Sequence, residues 1–145
     1  MIEQTIYLYN WDWTCKVYYA DVSYDRKTIL NSLINIGCKG DTLYNMKEIL
    51  DANRVNEGFT YVSPKYRSAV MFIGRTSSAD EFQSTYDHEK GHLAKFISLA
   101  LDINPYGEEY QYLAGDIGIK TFKIAKHFLC DTCRRRMFKS IKSVS

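Results

Sequence analysis

Ser78-Ala79-Asp80-Glu81 and, ten residues on, His88-Glu89-Lys90-Gly91-His92 fall in one stretch, residues 78–100, which carries the most specific pattern in the chain. The first four residues have capping-box spacing, which predicts a helix opening after Ser78. Phe82, Tyr86, Leu93, Phe96, Ile97 and Ala100 then give that helix a core face, and His88, Glu89 and His92 project on the neighbouring side. Imidazoles at i and i+4 stand one above the other with Cβ atoms about 5–6 Å apart, so both reach one metal ion at roughly 2.0–2.1 Å. Glu89 lies beside that position, where a carboxylate takes a proton from metal-bound water whose pKa is lowered towards about 7. Shuffling this composition yields the pattern with a probability of roughly 0.3%, so chance explains it poorly. The expectation is a Zn2+ site for hydrolysis.

Upstream, residues 5–19 alternate, with Tyr7, Tyr9, Trp11, Trp13, Cys15, Val17 and Tyr19 on one side, the pattern of a strand or hairpin. Asp25 is an expected N-cap for a helix carrying Ile29, Leu30, Leu33, Ile34 and Ile36, with Gly37 as its stop. Asp41 is expected to cap a second helix through Leu43, Met46, Ile49 and Leu50. Asn56-Glu57-Gly58 reads as a turn into a strand over 59–62 that Pro64 closes, and a second strand follows over 68–73. Downstream, Asn104-Pro105 offers an N-cap and a first-turn proline for the next helix. Strands at the front and helices behind imply an α+β fold with a small antiparallel or mixed sheet.

Length agrees with one domain over residues 1–145. The 46% hydrophobic and 25% charged residues are ordinary for a globular chain, whereas twelve Tyr suggest amphipathic aromatic surfaces. No signal-like segment and no apolar run near the roughly 20 residues of a bilayer span occur, so the expectation is a cytoplasmic protein without a membrane partner. Four Cys, at 15, 38, 130 and 133, form no dense disulfide framework, in keeping with a reducing compartment. A net charge of +2 decides nothing, but a basic segment at about 120–145 holds Lys120, Lys123, Lys126, Arg134, Arg135, Arg136, Lys139 and Lys142 against Asp131 alone.

Catalytic zinc usually takes three protein ligands. The third-His extension is absent, since Lys95 and Ser98 stand where its Gly and His would be. The first turns of the next helix carry Glu108 and Glu109 instead, and positions about 100° apart on a helix let only one of them reach a metal. A strand, the two-His helix, a short loop and a glutamate-bearing helix over roughly residues 57–118 resemble the compact gluzincin metallopeptidases, the small ImmA/IrrE-like peptidases in particular. The resemblance implies a zincin-like domain with His88, His92 and Glu108 as ligands and Glu89 as general base and proton shuttle. Glu108 is preferred over Glu109, and Tyr112 departs from the family's acidic or amide partner at its position. Strand 68–73 would then form the upper edge of the cleft, on which an extended peptide or protein substrate could add as a strand. Asp116 and Asp87 are candidates to orient the imidazoles, and Tyr112 or His127 to steady an oxyanion.

Two further readings stand beside this one. His127, Cys130 and Cys133 have spacing suggestive of a second zinc site that lacks a local fourth ligand. The basic C-terminal segment suits a non-catalytic module that binds nucleic acid or a protein partner, although a solvated helix end is the favoured reading of that charge.

Overall fold

The computed structural model describes the backbone of residues 1–144 and the side chains of residues 1–140. Strands β1 (Ile2–Leu8) and β2 (Trp13–Tyr19) form a hairpin through a 3-10 turn at Tyr9–Trp11. Helices α1 (Arg26–Asn35) and α2 (Gly40–Ala52) follow, then β3 (Gly58–Ser63), β4 (Ser68–Ile73), and helices α3 (Ala79–Ala100), α4 (Glu108–Ala125) and α5 (Asp131–Val144). The strands make one mixed sheet in the order β1-β2-β4-β3, antiparallel except for the parallel β2–β4 pair.

Period-2 alternation sends side chains to the two faces of this sheet. Ile6, Leu8, Trp13, Cys15, Val17, Tyr19, Ala69, Met71 and Ile73 join Phe82, Leu93, Ile97, Leu113, Ile117 and Phe128 in one core, under α3 and α4. Tyr18, Phe59, Val70 and Phe72 point the other way and meet Ile29, Leu33, Met46 and Leu50 of α1 and α2. The result is three layers, helices on both sides of the sheet. With both faces covered, the central strand β4 is buried from Ala69 to Ile73, which accounts for its near-continuous hydrophobic run.

Several expectations need correction. Tyr7 and Tyr9 do not continue the buried row of β2: they are 37% and 79% exposed, and Ile6 and Leu8 face the core. The 3-10 turn and left-handed Asp12 (φ 50°) break the alternation and reverse its phase in β1. Asp41 is not the N-cap of α2, which is Lys39; Asp41 sits inside the first turn, where a carboxylate still favours the helix dipole. Asn104-Pro105 does not start α4. The Asn104 side chain accepts the Tyr106 N–H at 3.0 Å and its carbonyl accepts the Gly107 N–H at 3.1 Å, forming a turn that delays the helix to Glu108. Finally, β4 is paired on both sides, so the sheet edge on this flank is β3.

Candidate functional site

Helix α3 begins where the capping spacing puts it. Ser78 Oγ accepts the Glu81 N–H at 3.2 Å, and Asp131 of α5 accepts the Ala79 N–H at 3.0 Å, so two acceptors serve the first free amides. Phe82, Leu93 and Ile97 lock one face of α3 onto the sheet. That orientation sends Glu89 down towards β3 and turns His88 and His92 outward beside it.

The two imidazoles converge. His88 Nε2 and His92 Nε2 are 3.0 Å apart, with the rings nearly perpendicular at 87°. Two zinc–nitrogen bonds of about 2.0–2.1 Å at a tetrahedral angle would set their nitrogens about 3.3–3.4 Å apart, so the pair fits a shared metal with little adjustment. His92 also stacks on Phe96, 5.0 Å between ring centres, which holds its plane. Burial lowers the pKa of His92, and the His88 and Lys95 charges lower it further, so the neutral, ligating form is favoured.

Glu89 is buried, 5% exposed, at the interface between α3 and β3. Thr60 on β3 donates its hydroxyl to Glu89 Oε1 at 3.0 Å and lies 3.2 Å from the Glu89 carbonyl. Burial pushes the Glu89 carboxyl up, while the Thr60 hydrogen bond and His88 pull it part of the way back. Gly58 makes room for this acid: a Cβ there would stand 3.1 Å from Glu89 Cγ and collide with the Phe72 carbonyl oxygen. Thr60 and Gly58 carry no motif signal, and Gly58 reads in the sequence only as a turn residue.

A polar cleft of about 390 Å³ opens beside His88 and Glu89, lined also by Ile49 of α2, by Asn56, Glu57 and Gly58 at the start of β3, and by Ser84 and Thr85. One oxygen of Glu57 accepts from Arg54 at 2.9 Å, and the other is buried without a partner among the described residues. A second, more apolar cleft of about 490 Å³ lies further along β3, between Met46 of α2 and Phe96 and Leu99 of α3. Together they flank the outer, unpaired side of β3.

The remaining expected residues do not gather here. Tyr86 Oη on α3 meets Thr121 Oγ1 on α4 at 2.6 Å, so α4 lies on the flank of α3 that Tyr86 faces. His88, two residues on, points about 200° away from that flank. Glu108 is exposed at the first turn of α4, and Glu109 accepts the Trp11 indole N–H at 3.3 Å. Among the described residues, no three His, Cys, Asp or Glu side chains are grouped as a metal would need, so Glu108 is not brought to the histidine pair. Asp116 pairs with Lys120 at 2.9 Å and Asp87 with Lys90 at 3.3 Å, while Tyr112 and His127 face solvent.

The basic segment is the end of α4, a 3-10 turn and α5. Lys120 also donates to the Tyr7 carbonyl, and Arg134 is buried against Thr76, so these two cations are engaged internally. The Lys142 side chain and Ser145 lie outside the described residues. No described helix is long and apolar enough to cross a membrane. No family model, curated protein or solved structure matches this chain.

Proposed function

We propose that the protein is a zinc-dependent peptidase acting on an extended segment of a protein substrate. The observation that carries this reading is the convergence of His88 Nε2 and His92 Nε2, 3.0 Å apart, beside a buried carboxylate on the same helix. His88 and His92 would hold the metal, which when bound supplies a polarised water and a Lewis acid for the carbonyl. Glu89 acts as general base and then returns the proton to the leaving amine. Its raised pKa suits both duties, because an acid–base group works best near the operating pH. Thr60 fixes the carboxylate rotamer through Oε1 and leaves Oε2 for the proton.

Substrate binding falls to β3. An unpaired strand edge offers main-chain donors and acceptors to an extended chain, and the clefts at its two ends accept alternate side chains. Glu108, the third ligand implied by the gluzincin resemblance, belongs to this site only if α4 turns its first residues around α3. Glu57 is the carboxylate besides Glu89 that lines the cleft with His88.

Zinc binding measured on the parent, His88→Ala, Glu57→Gln and Glu108→Gln, together with peptide cleavage by the parent and Glu89→Gln, tests the proposal. Expected are zinc binding lost in His88→Ala, and cleavage lost but zinc kept in Glu89→Gln. Of the two glutamate variants, the one that weakens zinc identifies the side from which the acidic ligand comes. A parent that takes up no zinc, or a Glu89→Gln chain that cleaves as fast as the parent, would overturn the reading.

A further inference from the structure

We propose that Cys130-Asp131-Thr132-Cys133 is a redox-active dithiol that exchanges with disulfides, with Cys130 as the attacking sulfur and Cys133 as the resolving one. Cys130 immediately precedes α5, and its carbonyl accepts the Arg134 N–H at 2.9 Å, which makes it the helix N-cap. That position sets its side chain at the N-terminus of α5, where the backbone N–H groups of the first turn have no partner within the helix. Residues i and i+3 are neighbours on a helix. A disulfide spans Cα atoms about 4.4–6.8 Å apart, so this pair can close within the first turn.

The two sulfurs are not equivalent. The Cys133 N–H and thiol and the Thr132 N–H favour the Cys130 thiolate over the opposing desolvation and hold it below the ordinary thiol value, as the positive end of a helix does. Cys133 is shifted the other way, first by its hydrogen bond to Cys130, then by desolvation and the Cys130 charge, with Arg136 opposing. Both are free and exposed. Cys15 and Cys38 are buried, and burial pushes the Cys15 thiol up to about 12, so neither competes.

The exchange balances without a metal. The Cys130 thiolate attacks one sulfur of a disulfide RSSR′, forming Cys130–S–S–R and expelling R′S⁻, which takes a proton from water. Cys133 then loses its proton to solvent and attacks Cys130 Sγ, forming the Cys130–Cys133 bond and releasing RS⁻. Two electrons pass from the dithiol to the external disulfide. The same turn holds the start of α3, through Asp131 to the Ala79 N–H and through Arg134 to the Thr76 carbonyl at 2.7 Å.

The test is a redox titration of the full chain in glutathione buffers at pH 7, quenched by thiol alkylation and read by mass spectrometry, with an insulin arm presenting a protein disulfide. Expected is joint loss of both exposed thiols in the parent. Cys133→Ser should stop at a mixed disulfide on Cys130, and Cys130→Ser should react about tenfold more slowly. Exchange in only one arm would tell a small disulfide from a protein one, and either supports the proposal. It is overturned if both thiols remain alkylatable in the most oxidising buffer. Equal rates for the two single variants would also overturn it, as would zinc shielding both thiols until a chelator is added.

Discussion

Ionised Glu89 costs the folded chain stability, because burial disfavours its charge. Burial raises its folded-state pKa above the unfolded value, so the native chain holds the proton more tightly than the unfolded one. Stability therefore falls as pH rises from about 4.3, the ordinary glutamate value, through the raised folded value, and stays lowered above it. Glu89→Gln should be more stable than the parent in urea at about pH 7.5 and lose that advantage below about pH 4, while cleavage drops about 10²–10⁴-fold. An advantage unchanged across that range would mean that packing, not ionisation, sets it. Gly58→Ala probes the same contact from β3. Its methyl meets the Phe72 carbonyl and Glu89 Cγ, so a loss of about 1–3 kcal/mol is expected in urea unfolding. His88, Glu89 and His92 were legible in the sequence because i, i+1 and i+4 are local relations that a helix converts directly into proximity. Thr60 was not, because it meets Glu89 across 29 residues of chain and nothing in its neighbours marks that contact.

The elements that sequence reading delimits well are those whose ends are chemical. Strand β4 runs from Ser68 to Ile73 as expected, between the Pro64 turn and Gly74, and α3 starts after Ser78 because that hydroxyl caps it. Ser78→Ala should cost about 1 kcal/mol by thermal or urea unfolding. A smaller loss would mean that Asp131, which accepts the Ala79 N–H, carries the end of the helix alone. Where a local signal had two outlets, the reading erred. Asn104 caps a turn instead of a helix, and that delay puts Glu108 and Glu109 in the first turn of α4. The apolar run of β4 suited an edge or a centre equally well, and only strand order, a non-local property, makes it central and leaves β3 as the edge.

Across the whole molecule, the three layers leave β3 as the sheet edge beside α3, and the histidine pair lies on that helix. A metal shared by His88 and His92 would bind the folded chain and not the unfolded one, because the two imidazoles converge only while α3 is formed and seated on β3. Such binding stabilises by RT ln(1 + [L]/Kd), which is about 2.7 kcal/mol at a hundredfold excess over Kd, or about 5–10 °C in Tm for a chain of this size. Added zinc should therefore raise the Tm of the parent by that order, a chelator should reverse the shift, and His92→Ala should show none. Phe128 provides the control. It is fully buried and stacks on Phe82 of α3, 4.6 Å between ring centres, so Phe128→Ala should cost about 3–5 kcal/mol yet keep the zinc increment, since the pair it leaves intact lies on another flank of α3. A zinc shift that vanished with Phe128 but survived in His92→Ala would move the metal from α3 to the C-terminal region.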